Sequence, residues 1–334
     1  RQVTDIRWGM IGVGAVAERK SGPAFANAVG GRLVAVAARR PEAAADYADR
    51  HGIGRAYATP AALIESAEVD AVYIATPPSS HAALGELVAR AGKPCCIEKP
   101  MSVRLHEAEA LVLAFERAGL PLFVSYYRRS LPRFAYVRDL LREGRLGSPT
   151  SIEWRLARPA SAGTGNAWRL DPREAPGGLF EDLACHGLDL FDDLLGAITA
   201  VEDAHCSTHA PGAVPDRVEA RWRHGAGITG SGRWAFDAEE RLDRVRIACT
   251  HGSIAFSVFD EQPIEVASDG TCESVFIANP VPIQLPHVAN LNLALREGFA
   301  HPSTGRTALR TATVSEAILH GPQAGLRHHH GGDA

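Results

Sequence analysis

The chain has 334 residues, 46% of them hydrophobic and 22% charged, and carries a formal net charge of −4. Its length favours two domains over one, and its composition is ordinary for a soluble globular enzyme. The small net charge argues against nucleic acid or an anionic membrane as a partner. We expect no membrane span and no signal peptide, because the apolar runs are short and the N-terminus lacks an apolar segment.

The cysteine pattern indicates a reducing compartment. Six cysteines show neither a CxxC pair nor the spacing of a disulfide framework, so we expect free thiols and a cytoplasmic protein. A run of three histidines at 328–330 could bind a metal or be an added tag.

The first predicted element is a strand over Ile6–Ile11, followed by a G-x-G-x-x-A motif and a helix that extends to Val29. Glycines at this point let the chain turn tightly and let backbone N–H groups approach a pyrophosphate at the helix N-terminus. A strand before the motif and a helix after it are the context that supports dinucleotide binding. The predicted cofactor contacts here are Gly12, Val13, Gly14, Ala15 and Val16.

A second predicted strand, over residues 32–38, ends at Arg39, Arg40 and Pro41. An acidic residue at this position would hydrogen-bond the ribose of NAD. Two guanidinium groups instead suit a 2′-phosphate, so the sequence favours NADP(H), with NAD(H) still possible. The alternative is a solvated arginine pair at the start of the following helix.

Further apolar runs predict more buried strands, at residues 70–76, 95–99 and 120–124. Helices are expected between them, ending near Ala91 and spanning Leu105–Ala118. Alternating strands and helices predict a doubly wound parallel sheet, a Rossmann fold, over residues 1–125. The polar residues that follow these strands would lie at its ligand-binding edge; they are Thr76, Pro77, His81, Glu98 and Lys99.

The second half of the chain has a different pattern of apolar residues. Residues 150–158 alternate like a strand, and strand-like runs separated by turn signals recur from 199 to 277. This pattern predicts a large, mostly antiparallel sheet, which helices near 287–299 and 306–320 would complete. A loop rich in glycine and proline carries Trp168 and Arg169, and the tryptophan could simply close the core under this loop.

Within the apolar helix predicted for residues 179–195, Asp182, His186 and Asp189 stand at i, i+4 and i+7, on one face. They could form a hydrogen-bonded core network or part of a metal site, although no second His/Cys cluster has matching spacing. The third interpretation, which we favour, makes His186 a general acid/base that Asp182 orients. No resident metal is expected.

Together these motifs resemble the glucose-fructose oxidoreductase / inositol dehydrogenase / MocA family. The resemblance rests on the GxGxxA start, the Ala-Thr-Pro-Pro at 75–78, the Glu-Lys-Pro at 98–100, the Tyr-Tyr-Arg-Arg at 126–129 and the D-x-x-x-H-x-x-D helix. It implies an N-terminal Rossmann domain and, over residues 126–325, an α/β domain with a mostly antiparallel sheet. That second domain would bind substrate and form a homodimer or homotetramer through its sheet.

The resemblance also implies a reaction. Hydride would pass between nicotinamide and a secondary alcohol or ketone of a sugar, polyol or keto-sugar, with Lys99 and His186 as the catalytic pair and Asp182 assisting. Tyr127 and Arg129 would line the substrate pocket, or serve only in packing. The resemblance places Trp168 and Arg169 near the nicotinamide, and these two residues, together with the arginines after the second strand, look similar to those of anhydrofructose reductases. Other relatives cleave glycosides with no net redox change, or act as non-catalytic sugar or dinucleotide sensors.

Overall fold

A computed structural model describes residues 5–159, 171 and 175–321 of the chain. The fold divides into two compact units. The first unit runs to Leu131 and includes Asn279–Leu309; the second comprises Pro132–Ala278 and the chain from Arg310 onward. The sequence predicts a boundary at residue 125, which puts Asn279–Leu309 with the second domain.

The strands are β1 (Ile6–Ile11), β2 (Gly31–Ala37), β3 (Arg55–Tyr57), β4 (Ala71–Ile74), β5 (Cys95–Ile97), β6 (Leu122–Val124), β7 (Pro149–Pro159), β8 (Ile198–Ser207), β9 (Arg217–His224), β10 (Thr229–Ala238), β11 (Leu242–Cys249), β12 (Gly252–Phe256), β13 (Ile264–Ser268) and β14 (Thr271–Val275).

The helices are α1 (Gly22–Asn27), α2 (Pro41–His51), α3 (Pro60–Glu65), α4 (His81–Arg90), α5 (Leu105–Ala118), α6 (Pro132–Glu143), α7 (Gly178–Leu195), α8 (Leu285–Glu297) and α9 (Gly305–His320). None of the helices in the described ranges is long and apolar enough to cross a membrane.

The first unit is built on a parallel sheet with strand order β3-β2-β1-β4-β5-β6. The strands at its centre are short apolar runs, and all four residues of β4 are buried. Such strands need cover on both faces, which helices provide. The predicted Rossmann sheet is confirmed.

One of those covering helices comes from late in the chain. Trp8 of β1 is fully buried and donates from Nε1 to Oδ1 of Asn292 in α8, at 2.8 Å. The same Asn292 side chain donates to the backbone oxygen of Val29, at 3.0 Å. These bonds satisfy the buried indole and amide, and they attach α8 to the first unit.

The second unit contains an eight-stranded sheet in the order β14-β13-β12-β11-β7-β10-β9-β8. Every neighbouring pair is antiparallel except β7 and β10, so the predicted mostly antiparallel sheet is confirmed. Helix α7 covers one face of this sheet, where Trp154 contacts Phe191 edge to face with ring centroids 5.5 Å apart. A Cβ on Gly187 would stand 2.3 Å from the Trp154 ring, so glycine permits the close approach of helix and sheet.

Candidate functional site

Five candidate residues of the first unit follow the ends of parallel strands. Gly12 follows β1, Arg39 follows β2, Thr76 follows β4, Lys99 follows β5 and Tyr127 follows β6. Because these strands are parallel, their carboxyl ends meet at one edge of the sheet. The strand order reverses direction at β1 and β4, and ligands of open α/β sheets bind at such a point.

The glycine motif brings the chain close to β4. Gly12 has a φ of +101°, and a Cβ there would lie 2.6 Å from the backbone oxygen of Ala75. Gly14 is exposed, and a Cβ on it would meet no atom within 4 Å. Gly12 is therefore required by the protein backbone itself, whereas Gly14 leaves open space that a phosphate can approach.

The helix after the motif departs from the predicted regular form. Residues Ala17–Ser21 form a π-helical turn in which the N–H of Gly22 bonds to the oxygen of Ala17. Pro23 follows directly and has no N–H to donate, so a regular ladder is interrupted here. Tyr47 donates a second hydrogen bond to the same Ala17 oxygen, at 3.1 Å, which fixes the turn.

Arg39 and Arg40 lie exposed between β2 and α2. Neither arginine makes an ion pair or a side-chain hydrogen bond to any part of the chain that the structure describes. Both guanidinium groups are thus available to an anion near the carboxyl edge of the sheet.

His81 is buried at the start of α4. Its Nε2 lies 2.8 Å from the backbone oxygen of Thr76, and its Nδ1 lies 2.8 Å from that of Pro100. The imidazole therefore connects the turn after β4 to the turn after β5, and both ring nitrogens face protein. Thr76 in turn accepts a 2.7 Å hydrogen bond from Ser80.

The carboxylate of Glu98 is buried in a polar network. Its Oε1 accepts hydrogen bonds from the Tyr73 hydroxyl at 2.7 Å and from Nε2 of Gln284 at 3.1 Å. Its Oε2 accepts the backbone N–H of Lys99 at 3.2 Å. Burial, and then the charge of Glu98, raise the pKa of Tyr73 well above its usual value. Tyr73 is therefore a neutral donor, and the network fixes the backbone that carries Lys99.

Tyr127 begins a 3₁₀ turn, Tyr127–Ser130, directly beyond β6. Burial alone would raise the pKa of Tyr127, but the positive charges of Arg128, Lys20 and Lys99 outweigh it and lower the pKa. Arg128 stacks on the Tyr127 ring, with its guanidinium carbon 5.0 Å from the centroid. Arg129 is also buried and donates to the backbone oxygen of Pro302, at 3.3 Å.

In the second unit, helix α7 buries Asp182, His186 and Asp189 together, as their spacing predicts. Asp189 accepts a hydrogen bond from the hydroxyl of Thr311, at 3.2 Å. The His186 ring stands perpendicular to that of Phe259, with centroids 5.7 Å apart. Asp189 thus takes part in the packing of α7 against α9, while the imidazole of His186 lies beside the Phe259 ring.

Lys99 belongs to the first unit, and Asp182 and His186 belong to the second. Trp168 and Arg169 lie outside the described residues. Within the described ranges, no cluster of three His, Cys, Asp or Glu side chains is arranged to hold a metal. Sequence reasoning missed Tyr73, Gln284 and Phe259, because each acts through a partner far away in the chain.

Two family models match most of the chain. The model described as an oxidoreductase family with an NAD-binding Rossmann fold matches residues 6–126. A model of the GFO/IDH/MocA C-terminal domain matches residues 134–255.

Individual relatives match along nearly their full lengths. Oxidoreductase P35 of Formosa agariphila is 36% identical over 287 residues, 85% of this chain and 88% of that protein. The 1,5-anhydro-D-fructose reductase of Ensifer adhaerens is 28% identical over 94% of this chain and 95% of its own length. The structure of aldose-aldose oxidoreductase from Caulobacter crescentus, complexed with glycerol, matches with a TM-score of 0.84 and 26% identity, over 94% of this chain and 96% of that one.

Proposed function

The chain belongs to the GFO/IDH/MocA family of NAD(P)-dependent oxidoreductases, and we propose that it transfers hydride between NADP(H) and a secondary alcohol or ketone of a sugar, polyol or keto-sugar. The family membership predicted from the motifs is confirmed. The observation that carries the proposal is the clustering of Gly12, Thr76 and Lys99 at the carboxyl edge of one parallel sheet. In this proposal residues 1–125 bind the dinucleotide, and residues 126–325 bind substrate.

The residues of the first unit fit a dinucleotide. Exposed Gly14 and the N–H groups of the following helix suit a pyrophosphate. The turns after β4 and β5, which His81 holds together, place Thr76 and Lys99 at the same edge. The other proposed cofactor contacts are Val13, Ala15, Val16, Pro77, His81, Glu98, Trp168 and Arg169. When bound, the nicotinamide supplies or accepts the hydride.

NADP(H) is the preferred cofactor in this proposal. Arg39 and Arg40 are exposed beyond β2 without an acidic partner in the described ranges. A 2′-phosphate gives such guanidinium groups a bidentate anion, whereas the ribose hydroxyl of NAD does not.

The chain's own residues handle charge and protons. The Lys99 ammonium stabilises negative charge that develops on the substrate oxygen. His186, as the general acid/base, takes the hydroxyl proton during oxidation and returns it during reduction. Asp182 orients the imidazole and hydrogen-bonds the substrate, and Tyr127 and Arg129 line the substrate pocket.

Two broader properties complete the proposal. The outer face of the second sheet carries ion pairs between neighbouring strands, including Arg221 with Asp203 and Arg223 with Glu202. We propose that this face associates with a second copy to form a homodimer or homotetramer. All six cysteines are free, which supports a cytoplasmic location.

Nicotinamide absorbance tests the function directly. The protein is mixed with oxidised or reduced NADP or NAD and a panel of sugars, polyols and keto-sugars, and the products are identified from the same tubes. A change in nicotinamide that matches product formation, and is faster with NADP(H), supports the proposal. Altered sugar with no net nicotinamide change would indicate redox-neutral cleavage instead. No conversion of any kind would favour a sensor.

A further inference from the structure

The proposed reaction gives no role to Arg158, an arginine that lies near His186. Arg158 stands near the end of β7 and, by strand alternation, shares a face with Trp154 and Leu156, the face that α7 covers. Its guanidinium carbon lies 5.2 Å from the centroid of the Phe259 ring. The His186 ring contacts the same phenyl ring at 5.7 Å between centroids. Arg158 and His186 are thus neighbours of one aromatic side chain within the second unit.

The position of Phe259 is fixed by Asp243. Oδ2 of this buried carboxylate accepts the N–H of Phe259 at 2.6 Å and that of Asp260 at 3.3 Å. Oδ1 accepts Nε1 of Trp154 at 3.0 Å. Since Trp154 also belongs to β7, these hydrogen bonds hold the Phe259 backbone to the strand that carries Arg158.

Among the residues that the structure describes, none balances the charge of Arg158. Its Nε is buried and has no hydrogen-bond partner, and no carboxylate in residues 5–159, 171 or 175–321 pairs with the guanidinium. Other arginines of this unit are paired: Arg138 with Asp193, and Arg310 with Asp192. Burying part of a cation without an anion costs free energy. An anionic ligand group would remove that cost.

We propose that Arg158 binds a carboxylate of the substrate, so that the enzyme acts on acidic sugars: aldonic or uronic acids rather than neutral ones. This inference rests on the proposed function. A planar carboxylate matches the guanidinium fork with two parallel hydrogen bonds. One guanidinium balances the single negative charge of a carboxylate, whereas a doubly charged phosphate would leave one negative charge without a partner. The carboxylate anchors the substrate at Arg158, and a secondary alcohol elsewhere on the substrate contacts His186.

Matched acid and neutral sugars test the proposal. The pairs are glucuronate with glucose, galacturonate with galactose, and gluconate with glucitol; glucose 6-phosphate is the phosphate probe. Both kcat/KM with NADP and affinity by calorimetry in the presence of NADPH are measured. We expect the acid of at least one pair to be favoured about ten- to hundredfold, the range of a hydrogen-bonded charge.

Three variants test whether the preference for acidic sugars depends on Arg158. Arg158→Met removes the charge and should abolish the acid preference, while Arg158→Lys keeps the charge without the fork and should retain part of it. Arg155→Met is the matched control, because Arg155 lies on the same strand but is exposed on the other face; it should leave the preference unchanged.

Several outcomes would overturn the inference. Preference for the neutral member of every pair, preference for the phosphate, or an acid preference that survives in Arg158→Met would each do so. Failure of all sugars to turn over would instead count against the proposed function. In that case the calorimetric affinities still decide: acid binding that is lost in Arg158→Met supports the inference, and equal affinity overturns it.

Discussion

The hydroxyl of Tyr73 donates a 2.7 Å hydrogen bond to Oε1 of Glu98, and both side chains are buried. Gln284 donates to the same oxygen from α8. A buried carboxylate is stable only when donors surround it. The network therefore stabilises the buried Glu98 side chain beside Lys99.

Removing the Tyr73 hydroxyl should destabilise the protein. Tyr73→Phe leaves a buried carboxylate with one donor fewer, so we expect a loss of about 1.5–3 kcal/mol in the free energy of unfolding, measured with urea. Tyr47→Phe is the control, because the Tyr47 hydroxyl donates to a neutral backbone oxygen; its loss should be about 1 kcal/mol. Equal losses in the two variants would show that the charge on Glu98 is unimportant.

The two glycines of the motif should respond differently to alanine. Gly12→Ala places a Cβ against Ala75 in a left-handed conformation, so we expect a loss of stability of about 1–3 kcal/mol. Gly14→Ala meets no protein atom and should leave thermal stability unchanged while weakening NADPH binding. Unchanged NADPH affinity in Gly14→Ala, measured by fluorescence titration, would contradict the proposed phosphate site.

Loss of either proposed catalytic side chain should affect turnover far more than cofactor binding. For Lys99→Met and His186→Ala we expect kcat to fall by about a hundred- to ten-thousandfold, with NADPH affinity nearly intact. Lys93→Met, before β5 at the opposite edge of the sheet, and His106→Ala, on the exposed side of α5, are the matched controls. Full activity in both catalytic variants would refute the assignment.

Reversing the charge at Arg39 should change cofactor preference. Arg39→Asp repels a 2′-phosphate and offers a carboxylate to the ribose hydroxyls, so the ratio of kcat/KM for NADP to that for NAD should fall about tenfold or more. Arg32→Asp, at the other end of β2 and also exposed, should keep the original ratio. The claim fails if Arg39→Asp retains it as well.

Acid should weaken the first unit through its buried histidines. Burial lowers the pKa of His301 to about 4 and that of His287 well below its usual value. Histidine in the unfolded chain takes up a proton near pH 6.5. The stability that the protein gains from keeping these histidines neutral is therefore fully present above pH 6.5 and decreases as the pH falls from 6.5 toward 4. His301 alone accounts for up to about 3 kcal/mol.

His301→Asn should reduce that pH dependence. The urea unfolding free energy, measured at pH 7 and pH 5, should differ less in this variant than in the unmodified protein. His106→Asn is the control, because His106 is exposed and its replacement should not alter the difference. A pH dependence that is the same in all three proteins would contradict the argument.

Local patterns in the chain were enough to predict the two sheets and the residues that follow their strands. Apolar runs broken by glycine and proline located β1, β4 and β5, and therefore the positions of Gly12, Thr76 and Lys99. Helical spacing placed Asp182 and His186 on one face of α7. These features depend on local periodicity, which adjacent residues encode directly.

The distant groups that surround those residues became visible only in the folded structure. Gln284 reaches Glu98 across 186 positions of sequence, and Asn292 reaches Trp8 across 284. Asp243 of β11 likewise joins Trp154 of β7 to the N–H of Phe259. Such contacts follow from how buried donors and acceptors are satisfied once the elements pack, and no local pattern in the chain specifies those partners.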